Sequence, residues 1–272
     1  MLAAAFSLVL SGCQTAGPGS SLAVDASDPC QGERAAFAGS KTYFQDKIVA
    51  GAAMGAAVGA GAGALAGLAA GGTLRSTLIG AGVGGVAGGV VGAGTAYYNT
   101  LSERAHDQDE LAANMSADLT RESQEIDHTA ATFARLRACR YGQARLVKNQ
   151  ARHHEIDKPT ALAQIAYHRD KFDEEIRIAR ELGLTMARRG QQFQEASNEL
   201  KTRPPVAAQG APPSRTTATK VAQVNRAASV SVPEKRASYD GAVASAEKTS
   251  KAAFDLDNNA SLSWVLLNGF DA

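Results

Sequence analysis

Three cysteines are the residues of this chain best suited to chemistry: Cys13, Cys30 and Cys139. Cys13 closes an apolar run and follows two small residues, Ser11 and Gly12. A thiol placed there suits a peptidase pocket and is a nucleophile for acylation. That leaves Cys30 and Cys139, which pair as a disulfide in an oxidising compartment and otherwise stay as two thiols. The histidines and acids offer less. His153-His154-Glu155 with Asp157 has the residue types of a metal site. Adjacent histidines, however, point about 100° apart on a helix and share a metal poorly. At a helix end they suit the dipole as cations. His106-Asp107 and Asp127-His128 are isolated pairs. Asp255-Leu256-Asp257-Asn258-Asn259 opens like a calcium loop, but Ala260 and Leu266 stand where glycine and glutamate are needed. G-x-G-x-x-G text arises by repetition in the glycine-rich stretch, with no strand before it. The chain therefore reads as non-enzymatic, with no catalytic residues, no metal ligands, and no cofactor beyond a covalent lipid on Cys13.

Composition narrows the class. The 272 residues carry a formal charge of +1, which favours neither nucleic acid nor acidic partners. Aromatic residues make up 6% of the chain, too few for a large globular core. The 27 glycines are concentrated in one segment, so their excess reflects local architecture.

The elements that position Cys13 come first in the chain. Residues 1–12 read as a lipoprotein signal peptide, with the apolar run LAAAFSLVL too short to span a membrane. No basic residue precedes that run, so the natural start is expected upstream. Leu10-Ser11-Gly12-Cys13 looks like a bacterial lipobox, which makes Cys13 the mature N-terminus and the lipidation site, acylated with chains such as palmitate. Gln14 follows where an inner-membrane retention signal would place aspartate, implying the outer membrane. Residues 13–45 then form a lipidated tether.

Residues 46–98 hold the most regular pattern. Glycine recurs every fourth residue at Gly51, Gly55, Gly59, Gly63 and Gly67, and again at Gly80, Gly84, Gly88 and Gly92. Residues four apart share a helix face. Ile48–Ala70 and Thr77–Tyr98 are each about 34 Å long as helices, enough to cross a hydrocarbon core of about 30 Å. Glycine costs a helix roughly 1 kcal/mol relative to alanine, and close backbone approach of a second helix offsets it. The pattern predicts an antiparallel transmembrane hairpin. Its turn lies at Gly71–Ser76, and Tyr97 and Tyr98 form an interfacial aromatic belt. Two spans return the chain to the side it left. The wider bare surface of the second helix predicts a homo-oligomer.

A lipobox followed by a double glycine zipper resembles the glycine-zipper outer-membrane lipoproteins of the rickettsial surface-antigen, envelope-stress and surface-exclusion types. The resemblance covers residues 10–98. It implies lipid anchorage in the outer membrane, a soluble part in the periplasm, and contact with the membrane, with copies of itself, and with outer-membrane proteins or peptidoglycan.

Residues 99–203 predict an antiparallel, coiled-coil-like helical hairpin. Leu119, Ile126 and Phe133 are seven apart, with Met115 and Leu136 on a flanking row. Ile165, Phe172, Ala179, Met186, Phe193 and Leu200 continue that spacing, with Leu162 and Ile176 on a second row. Pro159 breaks the two helices and Asp157 is suited to cap the second. Gly183 and Gly190 mark close packing or frayed pairing. One such hairpin buries little by itself, so an oligomer, or contact with Ala35–Phe44, is expected to complete it. Residues 204–272, with Pro204-Pro205, Pro212-Pro213 and scattered Ser, Thr and Ala, read as a mostly disordered tail with a short helix around Tyr239–Phe254 and a short apolar end around Trp264.

The expected fold class is thus all-α: a glycine-zipper transmembrane hairpin, a coiled-coil-like hairpin and a disordered C-terminal tail. The expected function is a structural scaffold of the outer membrane or of outer-membrane protein assemblies. The alternative is a pore-forming or surface-interaction component, in export or exclusion, built from the same hairpins.

Overall fold

The computed structural model describes residues 25–44, 93–203 and 214–257, and these are all-α, with no strand among them. The helices are α1 (31–44), α2 (Ala93–Ser102), α3 (Gln108–Arg152), α4 (Lys158–Thr202), α5 (Arg215–Arg226) and α6 (Val232–Ala253). A π-helical turn, Ala227–Ser231, joins α5 to α6.

Local chemistry sets the boundaries of the long pair. Asp107 caps α3, accepting from the Glu110 amide at 2.7 Å, while Glu110 reaches back to the His106 amide at 2.8 Å. Asp157 caps α4 by accepting from Thr160 N at 2.9 Å, with Pro159 in the first turn. Between them His154 takes a positive φ of 57° and the Glu155 amide donates to the Gln150 carbonyl at 2.9 Å. The two histidines thus end a helix.

Paired side chains fix the register. Arg140 of α3 meets Glu175 of α4, and Glu122 meets Arg189, so these helices run antiparallel. α1 lies on α3 through Phe37 and Phe133, whose rings are 5.7 Å apart. α2 lies on α4, with Tyr97 and Phe193 rings 5.5 Å apart. α5 and α6 run beside α3, tied by Lys220 to Asp109 at 2.9 Å near one end and by Tyr141 to the Ala246 carbonyl at 2.9 Å near the other. The result is an up-down-up-down four-helix bundle. Its first helix is split into α1 and α2, and its fourth is α5–α6. One aromatic from each of the four lines meets at Phe133, where Phe37, Phe172 and Tyr239 lie 5.7, 6.5 and 6.3 Å away.

Four sequence expectations are corrected by this arrangement. Residues 31–44, expected as tether, form a bundle helix whose Phe37 and Phe44 are buried, because an aromatic stripe outweighs glycine's poor propensity. Tyr97 and Tyr98, expected in a membrane interface, belong to the bundle: Tyr97 donates to Asp118 at 2.7 Å and Tyr98 to the Arg203 carbonyl. Residues 215–238, expected in a disordered tail, are helical and continue into the stretch near Tyr239–Phe254 where a short helix was expected, with Val224, Ala228, Val232, Tyr239, Val243 and Ala246 buried in one stripe. Pro233 masks that stripe in the sequence. A proline ring clashes with the carbonyl four residues earlier, and the π turn widens the helix there. Finally, Leu162 is 49% exposed, although Ile176 is buried. The buried second row of α4 is Ala161, His168, Glu175, Leu182 and Ala196, together with Arg189.

The hairpin therefore finds its partners within its own chain, and its burial needs no second copy. No helix among the described residues is long and apolar enough to cross a membrane. The glycines at 51, 55, 59, 63, 67, 80, 84, 88 and 92, and the lipidation residue Cys13, lie outside the described residues, as do Trp264 and the apolar C-terminal end.

Gly94 is the one glycine of the expected membrane segment that the structure places. A Cβ on it would lie 2.3 Å from Glu195 Cβ and 2.6 Å from the Gln192 carbonyl oxygen. Backbone cannot yield as a side-chain tip can. Gly94→Ala is expected to push α2 off α4 and cost about 1–3 kcal/mol, read as a lower urea midpoint at unchanged slope. Gly183 is also close-packed, facing Asp240 and Tyr239 of α6, whereas Gly190 has open space at its Cβ position.

Candidate functional site: a buried ion cluster beside a disulfide

Two polar centres interrupt the core. The first surrounds Arg140, which is fully buried. Its Nη1 and Nη2 donate to the two carboxylate oxygens of Asp28, each at 2.7 Å. Its Nε and Nη2 donate to Glu175 at 3.1 and 2.6 Å. Arg34 of α1 closes the ring, with Nε 2.9 Å from Glu175 Oε1 and Nη1 3.6 Å from Asp28 Oδ2. Two guanidinium and two carboxylate groups thus balance one another out of water, and Glu174 reaches Arg34 from the rim at 3.3 Å. Asp28 also accepts from the Cys30 amide at 3.0 Å.

Burial alone would raise the Asp28 carboxyl, but hydrogen bonds from Arg140 and the Cys30 amide together hold it below the usual carboxylate range. Glu175 goes the other way. Burial pushes it up further than Arg140 and Arg34 bring it back. Burial works against the charge of Arg140, yet its bonds to Glu175 and Asp28 raise its pKa.

The covalent neighbour of this ring is the Cys30–Cys139 disulfide, with Cα atoms 5.9 Å apart and a sequence separation of 109. Cys30 precedes α1 and Cys139 precedes Arg140 in α3, so bond and ion ring clamp the same joint.

The second centre is Glu122 with Arg189. Arg189 Nε and Nη2 donate to the two Glu122 oxygens, each at 2.7 Å. The Arg189 guanidinium lies 5.4 Å from the centre of the Phe193 ring, against which Tyr97 packs. Tyr43, near the end of α1, comes within range of the Glu122 and Arg189 charges; burial, followed by the Glu122 charge, pushes its hydroxyl up to about 12. Lys41, in the last turn of α1, lines a groove with Arg188, so the end of α1 and Tyr97 of α2 border the same stretch of α4.

Neither centre holds a nucleophile beside a free base, and the carboxylates in each are ion-paired with guanidinium groups. Chemically they are locks. Among the described residues, no three His, Cys, Asp or Glu side chains gather as a metal site. Of the residues singled out in the sequence, the structure brings Cys30 and Cys139 together. It leaves His106, His128, His153 and His154 apart.

The sequence contained a signal for both centres that apolar spacing overlooks. Arg140 continues the row Leu119, Ile126, Phe133, and Glu122 lies between Met115 and Leu136 on the flanking row. His168, Glu175 and Arg189 share one row of α4. Charged residues on core rows pair with one another when buried.

His168 is 6% exposed and its Nδ1 has no hydrogen-bond partner. Burial, reinforced by the Arg140 charge and opposed by Asp28, lowers its pKa. The folded state thus keeps it neutral while the unfolded chain takes up a proton near its ordinary value of about 6.5. Its contribution to stability is complete above that pH and declines below it, by at most about 1.4 kcal/mol per pH unit. Urea melts between pH 7 and pH 5 are expected to show that decline, and His168→Phe to flatten it.

The chain matches no family model, no curated protein and no solved structure.

Proposed function

We propose that this chain is a non-enzymatic, lipid-anchored protein of the bacterial envelope. In this reading Cys13 carries the lipid, the glycine-zipper segment inserts in the outer membrane and oligomerises, and the four-helix bundle stands in the periplasm. The whole acts as a structural scaffold of that membrane or of its protein assemblies. One observation carries the reading. The chain leaves α1 beside Arg188, which shares a groove with Lys41, and re-enters at α2 beside Phe193, on which Tyr97 packs, so α1 ends and α2 begins along one stretch of α4. An out-and-back pair of helices needs such closely spaced ends. Two further facts agree. A disulfide suits an oxidising periplasm, and buried ion-paired clusters suit a rigid support.

The test is the native mass of the detergent-extracted protein, taken with its co-purifying partners, for the natural sequence and for Gly59→Leu/Gly63→Leu. An oligomer that the double substitution dissociates is the expected result. A monomer without partners, or extraction of the chain by carbonate, removes the reading.

A further inference from the structure

The stretch of α4 that α1 and α2 border lies on the flank of the bundle. Glu122 is 14 residues into α3, which puts its pair with Arg189 roughly 20 Å from one end of that helix and about 45 Å from the other, at about 1.5 Å per residue. On the sequence reading, three residues separate Phe44 from the apolar segment that opens at Ile48. Three residues reach at most about 10 Å. They are too short to let either end of the bundle point at a membrane that the segment has entered.

The surface around this point has a matching character. Beside the last turn of α1, a groove of about 210 Å³ is lined by Lys41, Arg188 and Leu184, among others. Leu184 is 62% exposed, more than any other large apolar side chain among the described residues. Glu181, the acid in that groove, is held by Arg177 at 2.6 Å. The exposed positions of α1 are Gly32, Ala35, Ala36, Gly39 and Thr42, none of them charged, with Glu33 and Lys41 half-buried between them. On the far side of the bundle, α6 exposes Glu234, Glu247, Lys248 and Lys251.

We infer that the bundle lies side-on to the bilayer, with the α1 flank and the Lys41–Leu184–Arg188 groove against the lipid headgroups. This rests on the membrane-hairpin reading and lays the bundle along the membrane surface. Leu184 sits at headgroup depth, and Arg188 beside it faces anionic phosphates, as interfacial surfaces do.

The test places a nitroxide at Leu184→Cys, Ala35→Cys or Lys248→Cys in the full chain carrying Cys13→Ser, reconstituted in phosphatidylethanolamine–phosphatidylglycerol vesicles. Cys30 and Cys139 are bonded and take no label. The ratio of oxygen to nickel-chelate accessibility is expected to be several-fold higher at 184 and 35 than at 248. Chains that resist carbonate but show equal ratios at all three sites overturn the side-on placement and leave the hairpin standing. Dipolar broadening between copies at 35 or 184 assigns the flank to a second copy, and overturns it equally. Chains released by carbonate defeat both readings together.

Discussion

Arg140→Met is expected to destabilise the bundle by about 3–5 kcal/mol, the range for a buried ion cluster that loses one partner. Asp28 and Glu175 are both fully buried at the side chain, and Arg140 makes four hydrogen bonds to them at 2.6–3.1 Å apart from a weaker contact at 3.2 Å. Methionine fills the volume of the stem but leaves two carboxylates facing one cation, Arg34. Their protonation then becomes the cheapest relief. The expected loss in melting temperature is roughly 6–20 °C at neutral pH, smaller at pH 4, where Glu175 in particular has taken up its proton. The sign follows from Glu175's raised pKa: the cost of its charge appears as pH rises. The companion variant Asp28→Leu/Arg140→Met/Glu175→Leu, with Arg34→Met, removes the whole ring and should recover most of the loss. Thermal melts of both variants by circular dichroism decide the matter. Equal losses would mean that volume, and not charge, governs the site.

The second large effect is covalent. Cys30→Ser/Cys139→Ser opens a loop with a sequence separation of 109. Chain entropy alone assigns such a loop a little under 5 kcal/mol, and measured losses run at about 2–5 kcal/mol. The loss is expected to concentrate at α1, since α3, α4 and α6 keep their mutual packing through Phe133, Phe172 and Tyr239. Hydrogen exchange should therefore quicken first across 31–44 and last across α3. The disulfide and the ion ring share a joint, so their removals should not add. Combining the serine pair with Arg140→Met is expected to cost less than the sum. Uniform quickening over the whole bundle would show that the bond stabilises the fold globally and not this joint.

These two results also bear on the architecture. The ring and the disulfide hold the start of α1, where Cys30 and Arg34 lie, and not its far end at Phe44.

Much of this was legible from the chain alone. Seven-residue spacing in 115–136 and 165–200 determined the long antiparallel pair, because apolar side chains on one helix stripe must leave water. Asp157 and Pro159 determined where α4 begins, since capping and proline geometry are local. The cysteine count and the position of Cys13 left one candidate pair, Cys30 and Cys139.

Other features depended on tertiary contacts. Residues 31–44 and 215–253 have mixed local propensity, and each becomes a bundle helix because the α3–α4 pair offers an apolar groove. Tyr97 has the look of an interfacial residue until Phe193 and Asp118 are brought beside it from far along the chain. The partners of Arg140 are equally remote, at separations of 112 and 35 residues. Spacing along a helix tells which side is buried. Which buried charges meet, and that α1 ends and α2 begins beside the same stretch of α4, follows only from how the helices are set side by side.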